Sequence, residues 1–212
     1  MKEDALREQI AMLGKALYDR GLAHGSAGNI SVKLADGWLM TPTNSCLGRL
    51  DPARISRLDA GGKLVSGDPP SKETFLHIAM YQERAAAGAV VHLHSVHAVA
   101  VSCLADLNPA DVFPRITAYA IMQVGKLALV PYFPPGDQTL ADAVRKLAGR
   151  HHAVLLANHG PVVAGKTLEA AVNAIEELEQ TARLVLLLRG QLVRVRALTE
   201  EQVAELNRRF PG

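Results

Sequence analysis

The chain has 212 residues, 49% of them apolar, enough for one large domain or two small ones with a substantial core. Lys and Arg number 23 against 21 Asp and Glu, the formal net charge is +2, the basic residues are dispersed and aromatics make up only 4%, so neither a nucleic-acid stripe nor a base-stacking platform is present. Two cysteines, Cys46 and Cys103, lie outside any CxxC pattern; with no signal-peptide core near Met1, they read as small apolar residues in a reducing, cytoplasmic setting.

In chain order, Leu6, Ile10, Leu13 and Leu17 recur at helical spacing, so the sequence opens with an amphipathic helix from about Met1 to near Gly21. A glycine-rich loop follows. Residues 29–34 and 38–40 read as strands around the Asp36-Gly37 turn, and 55–59 and 63–65 as a second hairpin around Gly61-Gly62. A helix over 71–84 follows Pro69-Pro70, with Ser71 as its N-cap. Strands and helices then alternate: strand 89–93, helix 98–104, strand 127–130, helix 139–147, strand 153–157, a long helix over 168–188 and a shorter one over 199–207. The apolar run Leu184 to Leu188 is bounded by Arg183 and Arg189 and is too short to span a membrane; it suits an oligomer interface or an internal core. With no repeat, low-complexity segment or linker, residues 1–212 read as one α/β domain, and the early hairpins argue for a mixed or antiparallel sheet.

The chemistry concentrates at Val90-Val91-His92-Leu93-His94. Side chains alternate across a strand, so His92 and His94 face the same way and can meet one cation. His159, in Asn158-His159-Gly160, also ends an apolar run. Glu73 stands at a helix start, where on spacing alone a solvated first-turn residue is the simpler reading. Three imidazoles and a carboxylate suit zinc, with Mn2+ or Co2+ as alternatives. His97 follows closely enough to ligate after a tight turn, but a supporting role fits it better. His77 shares a helix face with Glu73 and reads as a satisfied polar core residue; His24, His151 and His152 read as surface residues. Three small-polar segments, 25–29, 41–45 and 71–72, each lie at an element boundary. Their glycines, hydroxyls, amides and Lys72 offer donors to an anion, which with the metal set points to a phosphorylated substrate.

At these residues the sequence resembles the class II aldolase/adducin family. The markers are Gly28-Asn29-Ile30-Ser31, Thr41-Pro42-Thr43, Ser71-Lys72-Glu73, His92-Leu93-His94-Ser95-Val96-His97 and Asn158-His159-Gly160, spread over nearly the whole chain. The resemblance implies a three-layer α/β/α sandwich around a mainly antiparallel sheet, and a homotetramer with active sites at subunit interfaces. It implies metal ligation by His92, His94 and His159, with Glu73 as both ligand and proton carrier. Gly28, Asn29, Thr43, Asn44, Ser71 and Lys72 fall on phosphate-pocket positions. Tyr119 falls where a family tyrosine reaches the neighbouring subunit's site; a packed loop aromatic is its plain alternative. Lys72 replaces a second small hydroxyl residue of the aldolases, and residues 44–52 replace a glycine after Thr43. Both departures are similar to the branch that decarboxylates 3-oxo-tetronate 4-phosphates through a cation-stabilised enediolate, giving dihydroxyacetone phosphate and CO2. Arg49 is either a further contact for such an anionic substrate or a solvated loop residue. Aldol cleavage of a ketose 1-phosphate is the alternative reaction, and an adducin-like assembly module without catalysis the alternative class.

Overall fold

In the computed structural model, which describes residues 2–134, 136–189 and 195–210, one eight-stranded sheet organises the chain. The strands are β1 (Asn29–Leu34), β2 (Gly37–Met40), β3 (Ser56–Asp59), β4 (Leu64–Ser66), β5 (Ala89–His92), β6 (Ala128–Val130), β7 (Ala153–Leu156) and β8 (Gly160–Gly165), in the order β4-β3-β2-β1-β5-β8-β7-β6. Within the described residues every neighbouring pair is antiparallel except β6 and β7. The helices are α1 (Glu3–Asp19), α2 (Thr74–Glu83), α3 (Val96–Ser102), α4 (Ala118–Gln123), α5 (Thr139–Ala148), α6 (Leu168–Arg189) and α7 (Glu200–Arg209).

Alternation along the central strands divides the core. Val91, Leu155 and Val163 face Ile10, Ala98, Ile175 and Leu178 on the side of α1, α3 and α6. Their neighbours Val90, Val154, Leu156 and Val162 face Leu76, Met80, Leu140 and Val144 on the side of α2 and α5. The central strands are covered on both faces and therefore read as apolar runs. The result is the expected α/β/α sandwich around a mostly antiparallel sheet.

Several local expectations are corrected. Strand β8 and helix α4 were not anticipated. The Gly160-Pro161 opening and Gly165 weaken the strand signal of β8, and six residues are too few for α4 to show a periodicity. The helix expected over 71–84 begins at Thr74, with Glu73 rather than Ser71 at its cap. Ser71 instead closes the preceding turn, its Oγ accepting from the Glu73 amide at 3.2 Å. Helix α3 starts two residues earlier than expected. Cys103 is exposed rather than packed. Leu184 and Leu187 are exposed while Val185 between them is buried, so that run lies partly on the surface. Met1, where the first helix was expected to start, lies outside the described residues.

One buried cation ties the chain's start to the segment after β2. Arg7, 8% exposed, donates from Nη1 to the carbonyls of Ile55 at 2.6 Å and Pro52 at 3.2 Å, while Nε and Nη2 bond Glu3 Oε1. Arg7→Leu removes the donors and leaves the Ile55 carbonyl short of a partner. The expected loss is about 2 kcal/mol, read in a thermal melt as a fall of ~4–8 °C at this chain length; an unchanged melting temperature overturns this account.

Candidate metal centre and anion cleft

One strand end, one hairpin tip and one helix start build the candidate metal centre. Strand β5 pairs with β8 in the register His92↔Val162, and β7 turns into β8 through residues 157–159. Asn158 takes a left-handed backbone there (φ 56°), a conformation that asparagine tolerates better than most residues, and this presents His159 at the tip. Gly160 permits the turn to lie against β5: a Cβ on it would sit 2.3 Å from the Leu93 carbonyl oxygen. Glu73 comes from the other direction, at the start of α2.

The imidazoles converge as the alternation argument requires. His92 Nε2 and His159 Nε2 each lie 3.0 Å from His94 Nε2. Glu73 Oε1 is 3.2 Å from His159 Nε2, and its Oε2 is 3.6 Å from His92 Nε2. One ligand atom from each of the four residues falls within 4.8 Å of all the others. Zinc–nitrogen bonds of about 2.0–2.1 Å in a tetrahedron separate ligand atoms by roughly 3.3 Å, and these spacings bracket that value. The donors also need a cation chemically. His92 donates from Nδ1 to the Pro161 carbonyl at 2.8 Å, which leaves its Nε2 with a lone pair. His94 Nε2 can carry one proton and cannot donate to both neighbours. The residues present therefore fit a divalent metal.

Burial and charge prepare this set. Burial pushes the buried His92 imidazole down to about 4, and burial followed by His159 lowers His94. Burial pushes the Glu73 carboxyl up, but His92, His159 and Asn29 together outweigh it and hold the group well below the usual carboxylate range. At neutral pH the cluster is thus a carboxylate facing unprotonated His92 and His94, the state a metal requires. His97 is not in the cluster. Its Nδ1 meets Glu179 Oε1 at 2.7 Å, and the two Glu179 oxygens accept from the amides of His97 and Ala98 at 3.0 and 2.8 Å. Buried Glu179 on α6 thereby pins the start of α3, two residues after His94. His97 stands outside the cluster, bonded to Glu179; Glu179, hidden in a long helix, left no sequence signal.

A cleft of about 900 Å³ opens over the centre, lined by every residue singled out for the phosphate pocket: Gly28, Asn29, Thr43, Asn44, Ser71 and Lys72. The amides of Gly28, Asn44 and Lys72 have no backbone partner among the described residues. Asn44 adopts a left-handed backbone (φ 57°), so it holds the conformation a glycine would take while adding a carboxamide. Ser26, Tyr132, Phe133 and Asn158 also line the cleft. Ser26 lies in a segment already singled out, whereas Tyr132 and Phe133 follow β6 with only their rarity as a clue. His24, expected on the surface, is exposed but sits on the rim of this cleft. His152, also expected there, is half-buried and its Nε2 meets the Gln123 carbonyl at 3.0 Å. Arg49 is exposed and outside the lining. Tyr119 is 64% exposed on α4, neither packed in a loop nor part of its own chain's cleft.

Below the cleft His77 is fully buried and hydrogen-bonded, as expected, and burial, then His92, pushes it down to about 3. The unfolded chain protonates His77 and His92 near the ordinary value of about 6.5, whereas the folded, metal-free chain resists until about 3 and about 4. Between those values the unfolded state holds more protons. Stability is therefore complete above ~pH 7 and falls as pH drops from ~6.5 toward ~4, by up to ~1.4 kcal/mol per pH unit for each imidazole. Urea unfolding of metal-free protein at several pH values measures this; a flat profile from pH 7 to 5 contradicts it.

Residues 8–186 match the Class II Aldolase and Adducin N-terminal domain family. The chain is 47% identical over 206 residues to the 3-oxo-tetronate 4-phosphate decarboxylase of Pectobacterium atrosepticum, covering 97% of this chain and 94% of that protein. It is 34% identical over 212 residues to the L-fuculose phosphate aldolase of Escherichia coli, covering 99% and 96%. The crystal structure of YgbL from Klebsiella pneumoniae superposes with a TM-score of 0.94 at 46% identity, over 97% of this chain and 99% of that one. A full-length match in sequence and in fold, on top of the three-histidine, one-glutamate cluster, makes this chain a member of the class II aldolase and adducin family.

Proposed function

We propose that this protein is a metal-dependent carbon–carbon lyase that decarboxylates a 3-oxo-tetronate 4-phosphate to dihydroxyacetone phosphate and CO2. The observation that carries this reading is the union, in one cleft, of the His92, His94, His159 and Glu73 cluster with Lys72 and the donors of an anion pocket. The names of the more similar relatives support it.

The substrate is a β-keto acid. Its C1–C2 bond breaks, CO2 leaves, and the electron pair stays on C2 in conjugation with the C3 carbonyl; one proton delivered to C2 completes the product. His92, His94, His159 and Glu73 would hold a divalent cation, which would supply Lewis acidity to negative charge developing on the substrate oxygens. Zinc suits three imidazoles and a carboxylate, and Mn2+ or Co2+ can replace it. Gly28, Asn44 and Lys72 offer backbone amides, and Thr43 and Ser71 hydroxyls, to the phosphate. The Lys72 ammonium suits a substrate that carries a carboxylate besides its phosphate. Glu73 is the proton carrier. Held as a carboxylate by its neighbours, it accepts protons poorly while it remains in the cluster, so it acts after turning away from the imidazoles.

The oligomer and setting belong to the same reading. Tyr119, largely exposed and outside the lining of the cleft over the metal centre, is available to a neighbouring copy's site as a second proton carrier in a homotetramer. The free thiols of Cys46 and Cys103 suit the cytoplasm. Aldol cleavage of a ketose 1-phosphate stays the second reading, because the L-fuculose phosphate aldolase relative is similar along its full length.

Purified protein supplied in parallel with a 3-oxo-tetronate 4-phosphate and with ketose 1-phosphates should release CO2 from the first; aldehyde from a ketose phosphate without CO2 from the oxo acid reverses the assignment. Glu73→Gln removes the transferable proton at nearly constant volume. It should lower kcat by ~10²-fold or more while circular dichroism stays native, and a rate near that of the unmodified protein removes Glu73 from proton transfer.

A further inference from the structure

A chain of buried polar side chains runs from Glu73 into the core between α2 and the sheet. Glu73 Oε2 accepts from Asn29 Nδ2 at 2.7 Å. Asn29 Oδ1 lies 2.6 Å from His77 Nε2, His77 Nδ1 lies 2.7 Å from Ser31 Oγ, and Ser31 Oγ lies 2.8 Å from the Tyr81 hydroxyl. Asn29, Ser31, His77 and Tyr81 are each no more than 5% exposed. Asn29 and Ser31 are two apart on β1, and His77 and Tyr81 four apart on α2, so one strand face and one helix face supply alternate links.

The direction of every bond follows from a single condition, the negative charge on Glu73. A carboxylate only accepts, so Asn29 must turn its NH2 group toward it. The Asn29 oxygen then faces the core and requires a donor, which fixes the proton of neutral His77 on Nε2. Nδ1 is left with a lone pair and takes the Ser31 hydroxyl proton, and Ser31 in turn accepts from Tyr81. The second Nδ2 hydrogen of Asn29 remains for the cleft that Asn29 lines. A flipped carboxamide would aim oxygen at a carboxylate and at an anionic substrate.

We propose that His77 is a positioning residue: through the Asn29 carboxamide it keeps Glu73 Oε2 turned toward the imidazoles in the resting site and keeps donors, not an acceptor, facing the substrate. Ser31 and Tyr81 extend this orienting chain. The kinetic part of this inference rests on the lyase reading above; the orientation of Glu73 does not.

The test uses Co2+-loaded protein, whose visible absorption bands report the ligands around the metal. His77→Leu should alter those bands and lower kcat by ~10- to 100-fold. His77→Gln offers one donor to Asn29 and one acceptor to Ser31 and should restore both to within ~3-fold. Tyr81→Phe, which removes only the last link, should fall between His77→Leu and the unmodified protein and stands in for it should His77→Leu not fold. Unchanged Co2+ bands and kcat in folded His77→Leu overturn the proposal, as does a loss in His77→Leu that Gln does not restore while the melting temperature recovers. Failure of the unmodified protein to release CO2 sinks the lyase reading alone, because the Co2+ bands report Glu73 without substrate.

Discussion

The site depends on the antiparallel pairing of β5 with β8. That register sets His92 opposite Val162 and brings the Pro161 carbonyl to His92 Nδ1, so the strand ladder itself selects the tautomer that leaves Nε2 free. The same pairing holds the β7–β8 turn against Leu93, and with it His159 against His94. A one-residue slip would send His92 and His94 to the opposite face and separate them from His159. Gly160 is required at this crossing because any side chain there meets backbone. Covering both faces of the central strands with helices gives the register its rigidity, since every alternate residue is locked into one of two cores.

Burying this many polar groups is unfavourable unless each finds a partner. Two devices supply the partners. Glu179, itself buried, gives both oxygens to α3 and His97, and so holds the segment that follows His94. Asn29, His77, Ser31 and Tyr81 satisfy one another in series and end on Glu73. The four cluster residues are thus held from behind on both sides of the sheet, by α6 on one and α2 on the other. A rigid surround of this kind keeps the four donor atoms close together before any cation arrives, which lowers the reorganisation that binding demands.

The sequence exposed these features unequally. His92 and His94 were legible from strand alternation alone, because two-residue spacing has one geometric meaning in an extended chain. His159 was legible as the end of a second apolar run. Glu73 was not, since a glutamate at a helix start is ordinary; the family resemblance supplied it and the fold brings its carboxylate to 3.2 Å from His159. The anion segments were visible because glycines and small hydroxyls cluster at element boundaries. Glu179 and the wall formed by Tyr132 and Phe133 were invisible, as their partners lie far away in sequence and no local pattern marks them. The β8 strand was masked by its own Gly160 and Pro161, the residues that its turn and its close approach to β5 need. At the β7–β8 turn, tertiary demands therefore removed the local strand signal.

What decides between reactions lies outside the metal set. Decarboxylation of a 3-oxo acid and aldol cleavage both leave an electron pair beside a carbonyl, so the cluster that serves one can serve the other. The difference is the group that departs and the charge it carries before it goes. A carboxylate must be bound beside the phosphate without being held so tightly that it cannot leave as neutral CO2. On the proposed reading, an exposed Lys72 at the cleft wall would meet that demand better than a buried one, because solvent weakens its hold on a carboxylate while its charge still draws in a more anionic substrate. On the same reading Asn44 would work in the same direction: it keeps the left-handed turn that a glycine would make and would add a neutral donor where a second cation would bind too strongly. On the proposed reading, the choice of bond to break is set by these rim residues, while β5, β8 and α2 supply chemistry common to both.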